Sequence, residues 1–383
     1  MDKPTVQDIF HRFYPAYLDQ YSPSPVQAKV AHNIMNCKTG AYGANVCVCE
    51  DCGFVQIHYN SCRNRCCPMC QAVPKEMWMD ARREDVLDAP YFHLVFMVPD
   101  ILNPVIYSNQ RLLYDALYHA ASSTISELTA DPKHLGAKVG YICILHTWGS
   151  EMNFHPHIHT ILLGGGLASN NQWNDNGENF FLPIRVISKM FRGKYLEELK
   201  RLWEEDKLVF HGTAEKFRNH YTFKELLDSC YGMDWIPHCK KTFNGAQTVI
   251  KYLGKYTHRI AVSNHRIVRM DDDTVTFLVK DYRNEGQWKE LTISGVEFVR
   301  RFLMHVPPRR FVRIRHYGLL CSRTKSQKLT LCRNLLGCKK YLSKLRDMEM
   351  PEILEHLYGI KVCVCKACGG HLGKPQMRMP LRC

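Results

Sequence analysis

Apolar and polar residues follow two different rhythms along this chain. NQRLLYDALYHAASSTISELTA (109–130) repeats its apolar positions at intervals of three and four, the period of a helix with one buried face. YFHLVFMVP (91–99) is a short unbroken apolar run, the mark of a buried strand, and KVGYICILHTWG (138–149) reads the same way. HPHIHTILLGGG (155–166) predicts a third strand that starts at Pro156 and ends in a glycine turn. Upstream, TVQDIFHRFYPAYLDQY predicts a helix broken near Pro15, SPVQAKVAHNIMNC a second helix and PKEMWMDARREDVLDA a third. Downstream, the pattern predicts helices within 188–230, a helix over 244–261 capped by Asn244, and a hairpin over HRIVRMDDDTVTFLVKDYR turning at Asp271–Asp273. The order is strand, helix, strand, strand, insertion, helix, then more strands. That order predicts an α+β fold, an antiparallel sheet with helices on one face, and not a doubly wound parallel sheet.

The chain has 383 residues, of which 45% are hydrophobic, enough for one or two cores and small modules. Lys and Arg number 51 against 37 Asp and Glu, a formal net charge of +14, which points to a polyanionic partner such as nucleic acid. Charge alone does not separate nucleic acid from an anionic membrane. No apolar run reaches the ~18 residues of a membrane span, and MDKPTVQDIFHRFY lacks the charged start and apolar run of a secretory signal. The expectation is a cytoplasmic protein whose 18 cysteines are reduced thiols, so that their clusters read as metal ligands.

One cluster is CVCEDCGFVQIHYNSCRNRCCPMC. It holds Cys49-x-x-Cys52 and Cys67-x-x-Cys70, two tight turns that each present a pair of thiolates. Together these four residues predict a structural zinc site, with Cys47, His58, Cys62 and Cys66 near enough to substitute or to support a second ion. Arg63 and Arg65 stand beside it, placed to touch phosphates. A second, smaller cluster, CVCKACGGH, carries Cys365-x-x-Cys368, a candidate for a second zinc.

Residues i, i+2 and i+4 of a strand share a face, so His155, His157 and His159 are expected to point one way. Three imidazoles side by side suit a divalent metal better than a core, and His157 and His159 are the better-held pair because Pro156 marks the strand start. KYLGKYTHR places Tyr252 and Tyr256 four apart, on one face of the expected helix, interleaved with Lys251, Lys255, His258 and Arg259. Alone, such a pair is commonly core packing. Beside a metal-bound phosphate, a phenol is a nucleophile.

The histidine strand, the tyrosine pair on a later helix and the N-terminal cysteine module together resemble one family, the two-tyrosine rolling-circle transposases of bacterial insertion sequences. These belong to the HUH (His–hydrophobe–His) single-strand endonucleases. The resemblance runs from CEDCGFVQIHYNSCRNRCCPMCQ through HTWGSEMNFHPHIHTILLGGG and YLGKYTHRIAVSNHRI to RIRHYGLL. It implies an antiparallel HUH palm, in which His157 and His159 hold Mg²⁺ or Mn²⁺ on the scissile phosphate. Tyr252 or Tyr256 then attacks to give a 5′-phosphotyrosine and a free 3′-OH. The bond energy is kept in that link, so no nucleotide cofactor is implied, and the chain has no G-x-x-x-x-G-K-[ST] loop. The implied partner is single-stranded DNA of the transposon ends, contacted by Arg63, Arg65, Lys251, Lys255 and Arg259. The implied division is 1–75 for the N-terminal helices and zinc module, 76–270 for the nuclease with an insertion at about 168–235, and 271–383 for a C-terminal region. In two respects the sequence leaves the pattern open. Cys66 stands where relatives carry His before the second Cys-x-x-Cys, and the third ligand of the catalytic metal is to be chosen among His155, Glu151 and His258, His155 first.

Two rival readings remain at this point. A histidine-triad nucleotide hydrolase also alternates histidines, but that family is short and lacks both the cysteine module and the tyrosine pair. A non-catalytic zinc-ribbon DNA-binding protein accounts for the cysteines and the charge but not for the histidine strand. A zinc deaminase is excluded, since no H-x-E occurs in the chain and CCPMC is not P-C-x-x-C.

Overall fold

The structure, a computed structural model, describes residues 3–175, 182–235, 237–241, 249, 254, 260–281, 284–374 and 376–378. It is α+β with antiparallel sheets. In chain order come α1 (Val6–Gln20), α2 (Pro25–Met35), β1 (Ala44–Val48), β2 (Val55–Tyr59), α3 (Ala72–Arg83), β3 (Tyr91–Met97), α4 (Asn103–Ser108) and α5 (Gln110–Ala130). Next are β4 (Lys138–Trp148), β5 (Phe154–Leu167), β6 (Trp173–Asp175), α6 (Ile184–Glu204), α7 (His220–Gly232) and β7 (His238–Lys241). The remainder is β8 (Ile267–Met270), β9 (Thr274–Asp281), β10 (Gln287–Ser294), α8 (Gly295–Met304), β11 (Ile314–Gly318), α9 (Lys325–Leu336), α10 (Met350–Tyr358) and β12 (Gln376–Arg378). No helix among the described residues is long and apolar enough to cross a membrane.

The central sheet has the order β11-β4-β5-β3-β7, with β6 paired to β5, and every pairing is antiparallel. One face carries Phe92, Leu94, Phe96, Leu145, Ile158 and Leu162, packed under α5, α6 and α7. Residues 184–232 are thus part of the main core, since Phe191, Leu199 and Phe223 join the same cluster. Alternation turns the remaining residues of β3, β4 and β5 to the other face. There Tyr91, Ile142, Ile144, Ile161 and Leu163 pack with Met79 of α3, Leu329 and Cys332 of α9, and Val249. The expected helix over 244–261, with Tyr252, Tyr256, Lys251, Lys255, His258 and Arg259, lies outside the described residues except for Val249, Gly254, Ile260 and Ala261.

A second core joins the N-terminal helices to residues 260–306. Ile9, Phe10 and Phe13 of α1 pack with Phe277, Phe298 and Phe302, and the Phe10 and Phe302 rings meet edge to face at 5.2 Å. Here the expectation of a helix broken at Pro15 is corrected, because α1 runs through it. Proline removes one hydrogen bond and costs about 3 kcal/mol in a helix interior. The buried face of Val6, Ile9, Phe10, Phe13, Tyr14 and Tyr17, and the Thr5–Asp8 capping box, outweigh that local cost. The hairpin expected over 265–283 is present as β8–β9, with Asp271–Asp273 between its strands.

The glycines after the histidine strand do not end it. β5 continues through Gly164, Gly165 and Gly166 to Leu167, because close neighbours there exclude side chains. A Cβ on Gly165 would lie 2.4 Å from the Trp173 ring, and one on Gly166 would lie 2.5 Å from the Lys138 carbonyl oxygen. The strand also begins earlier than expected, at Phe154. The β4–β5 register shifts between the His146–His157 and Trp148–Phe154 pairs, so His155 and Pro156 together oppose Thr147. This bulge takes up Pro156, which has no N–H to give to the ladder.

Candidate functional site

The bulge decides which imidazoles meet. After it, His157 pairs across to His146 and His159 to Ile144. His146, His157 and His159 each bring a ring nitrogen to within 4.8 Å of the others. His155 lies in the bulge and is not one of the three; its Nδ1 lies 3.1 Å from Asp100 Oδ1 at the half-exposed mouth of the strand. The structure thus groups His146, a residue of the neighbouring strand, with His157 and His159, and leaves the expected third member, His155, outside the group. Glu151, another candidate, lies in the β4–β5 turn, where Asn153 Nδ2 donates to its carboxylate at 3.3 Å. His258 is outside the described residues.

The rings are oriented by their back sides. His157 Nδ1 donates to the His155 carbonyl oxygen at 2.7 Å, which leaves Nε2 as a lone pair. That Nε2 lies 3.0 Å from His159 Nε2. His159 Nδ1 in turn lies 2.9 Å from Nε2 of His93, a buried residue of β3. His146 stacks on Trp148 with ring centres 4.4 Å apart, and Arg313 lies over the other ring system of that pair, 5.5 Å from the Trp148 centre. Burial, then the positive field of His155, pushes His157 down to about 4. Burial, then His146 and His157, holds His159 well below the usual imidazole range. The rings are therefore neutral at physiological pH, the form in which imidazole binds metals. Neither His146 nor His93 was singled out in the sequence. Each is a lone histidine in an apolar strand, and only strand register brings it to β5.

The cysteines assemble differently from the expected set. Cys49, Cys52, Cys67 and Cys70 do not meet. Cys67 and Cys70 join Cys37 and Cys62, while Cys49 and Cys52 join Cys365 and Cys368. The reason is the β1–β2 hairpin, since β2 carries the chain away from the Cys49–Cys52 turn at about 3.3 Å per residue and leaves the two Cys-x-x-Cys turns at opposite ends. In the first cluster the Cys62 and Cys70 sulfurs are 3.8 Å apart, and hydrogen bonds from Cys62 and then Cys67 pull Cys70 down to about 2. Cys67 is raised, because it is the donor to Cys62 and Cys70. Cys47, His58 and Cys66 enter neither cluster. Cys66 is buried, which pushes its thiol up to about 11. Arg63 is exposed and adopts a left-handed φ of 52°. Arg65 donates to the backbone carbonyls of Phe311, at 2.5 Å, and Pro308, at 3.4 Å.

The antiparallel central sheet thus carries a histidine cluster on one face, and the chain also holds two thiol clusters of metal-binding geometry. Comparison with known proteins gives the class. A family model described as "Putative transposase" matches residues 140–328, and one described as "Transposase zinc-binding domain" matches residues 9–98. The chain is 40% identical over 369 residues to the "Putative transposase y4qJ" of Sinorhizobium fredii, covering 95% of this chain and 93% of that protein. It is 29% identical over 309 residues to the transposase for insertion sequence element IS801 of Pseudomonas savastanoi pv. phaseolicola, covering 79% of this chain and 72% of that one. No solved structure matches. The chain belongs to the IS91 family of insertion-sequence transposases. The matched domain and the thiol clusters support structural zinc.

Proposed function

We propose that the protein nicks and rejoins single strands of DNA at insertion-sequence ends by a rolling-circle mechanism, with Tyr252 and Tyr256 as nucleophiles. The observation that carries this reading is the cluster of His146, His157 and His159 on one face of the central sheet. Its three imidazoles, two of them braced through the second ring nitrogen, fit a divalent cation. An all-nitrogen set favours Mn²⁺ over Mg²⁺ unless phosphate and water oxygens complete the shell. Bound there, the cation would polarise the scissile phosphate and stabilise the charge that builds on it.

The chain's own residues do the rest. Val249, three positions before Tyr252 and seven before Tyr256, is buried on the histidine face. That spacing is one face of a helix, so the sequence aims the tyrosines where Val249 packs. A phenol oxygen bonds to phosphorus as the bond to the 3′-oxygen breaks. The phenol proton leaves to solvent or a base, and the freed 3′-oxygen takes one up. One phosphodiester replaces another, so no nucleotide is consumed. The second tyrosine can then take a second strand while the first link persists. Lys251, Lys255, Arg259, Arg63 and the solvent side of Arg65 supply phosphate contacts, consistent with the net charge of +14. On this reading residues 76–270 supply most of the nuclease, β11 from the 271–383 region completes its sheet and 1–75 flanks it, and the protein acts in the bacterial cytoplasm.

The test is incubation of the full-length protein with single-stranded and duplex versions of the element ends and Mn²⁺. The expected result is a covalent protein–DNA adduct on the single strand only. It should be absent in the Tyr252→Phe, Tyr256→Phe double variant, which keeps ring packing and still binds DNA. Equal cutting of duplex, or an adduct with the double variant, overturns the proposal.

A further inference from the structure

The cluster of Cys49, Cys52, Cys365 and Cys368 joins parts of the chain that are 313 residues apart between Cys52 and Cys365. We propose that these four thiolates hold a zinc ion of their own, so that residues 363–378 form half of the N-terminal metal module and the chain carries two zinc ions. The matched zinc-binding domain ends at residue 98 and contains only the first half of this site.

The two halves are built alike. Cys49-Glu-Asp-Cys52-Gly53-Phe54 and Cys365-Lys-Ala-Cys368-Gly369-Gly370 fold into the same turn. In the first, Gly53 N–H donates to the Cys49 carbonyl at 3.0 Å and Cys49 N–H to the Phe54 carbonyl at 2.9 Å. In the second, Gly369 N–H donates to the Cys365 carbonyl at 3.0 Å and Cys365 N–H to the Gly370 carbonyl at 2.8 Å. Both glycines take the left-handed conformation, with φ of 72° and 78°. Backbone N–H groups are already aimed at the second half's sulfurs. Ala367 N–H lies 3.4 Å from Cys365 Sγ and Gly370 N–H 3.4 Å from Cys368 Sγ. Such donors stabilise thiolate, the form that binds metal.

The halves also face each other with the sulfurs in contact. Cys49 Sγ lies 3.5 Å from Cys368 Sγ, and Cys52 Sγ 3.7 Å from Cys365 Sγ. The backbone around them interlocks. Glu50 N–H donates to the His371 carbonyl at 3.1 Å and Gly373 N–H to the Val48 carbonyl at 2.9 Å. β12 then pairs with β1 at Ala44, Asn45 and Val46. Among the described residues, the buried apolar packing in this corner is the small cluster of Cys47, Cys49, Cys365 and Leu372. So small a core does not hold two segments together, which leaves the metal as the principal link. Four thiolates close a tetrahedral site and leave no position for substrate, so the ion is structural. The other cluster, Cys37, Cys62, Cys67 and Cys70, is complete without any of these residues.

The test uses the full-length protein as purified. Cys52, Cys368, Cys321 and Cys363 are all exposed. Brief iodoacetamide labelling read by mass spectrometry should modify Cys321 and Cys363 at once. Cys52 and Cys368 should react about tenfold slower or less, and should become reactive together when a chelator is added. Cys368 labelling as fast as Cys321 in zinc-loaded protein overturns the proposal without any variant. Zinc analysis supplies the second arm. The wild type should carry two ions, and Cys49→Ser/Cys52→Ser, Cys365→Ser/Cys368→Ser and the quadruple variant should each carry one. Two ions in the Cys365→Ser/Cys368→Ser protein refutes the shared site, whatever happens to nicking.

Discussion

Replacing His146 by Leu separates the histidine cluster seen in the fold from the run of alternating histidines in the sequence. Leucine keeps most of the volume beside Trp148 and removes one of the three nitrogens that lie within 4.8 Å of each other. Changes that only disturb a ligand's supporting partner cost about 10- to 100-fold in metal affinity, so loss of a ligand itself should cost at least the upper end of that range. Wild-type protein at a Mn²⁺ concentration 100 times its dissociation constant gains about 2.7 kcal/mol against unfolding. With 100-fold weaker binding the same concentration gives only RT ln 2, about 0.4 kcal/mol. His155→Leu should retain nearly the whole gain, because that imidazole is turned to Asp100. The assay is thermal unfolding of the three zinc-loaded proteins across a Mn²⁺ titration, with nicking measured in parallel. A full Mn²⁺ shift in His146→Leu, or its loss in His155→Leu, would show that the metal ligands are not those grouped by the β4–β5 register.

Two further outcomes follow from geometry outside the cluster. Gly166→Ala should destabilise the protein by about 1–3 kcal/mol in urea unfolding, because its Cβ meets backbone atoms of Lys138 at 2.5 and 2.8 Å that cannot move without breaking the ladder. Gly149→Ala, with nothing within 4 Å, is the neutral control, and equal effects at the two positions would refute the packing argument. His305 is buried, its Nε2 donating to the Met152 carbonyl at 3.0 Å and its Nδ1 accepting from Thr147 at 3.1 Å, and burial pushes it from 6.5 down to about 4. The unfolded chain therefore takes up its proton first. The His305 contribution is fully present above pH 6.5 and falls by about 3 kcal/mol as pH drops to 4. His305→Gln should lose that part of the acid sensitivity in unfolding measured between pH 7 and pH 4, and an unchanged slope would count against it.

Much of this was legible from local pattern. β3, β4, β5, α2, α5 and the β8–β9 hairpin follow from periodicity because each buries a face that its own residues specify. Pro15 and the Gly164–Gly166 run misled for one reason: their meaning depends on tertiary packing, Phe302 against Phe10 of the same helix in one case and Trp173 and Lys138 against the glycines in the other. The same limit hid one histidine of the cluster and the way the thiols group. His157 and His159 announce themselves by spacing, but His146 and His93 reach them only through cross-strand register. Cys67 and Cys70 lie nearer in sequence to Cys49 and Cys52 than to Cys37, yet the β1–β2 hairpin reverses that proximity.

The row of contacts behind the histidine cluster also makes it a reporter of its own occupancy. Three approaches of 2.9, 3.0 and 2.7 Å run from His93 through His159 and His157 to the His155 carbonyl. In metal-free protein one proton per ring satisfies the row, with His93 Nε2 donating to His159, His159 Nε2 to His157, and His157 Nδ1 to the carbonyl. Coordination through His159 Nε2 forces that ring's proton onto Nδ1, and His93 Nε2 must change from donor to acceptor. Bound and free states of the proposed site would then differ in the tautomer of a residue on β3, where ring-nitrogen NMR shifts of His93 would read them without any DNA present.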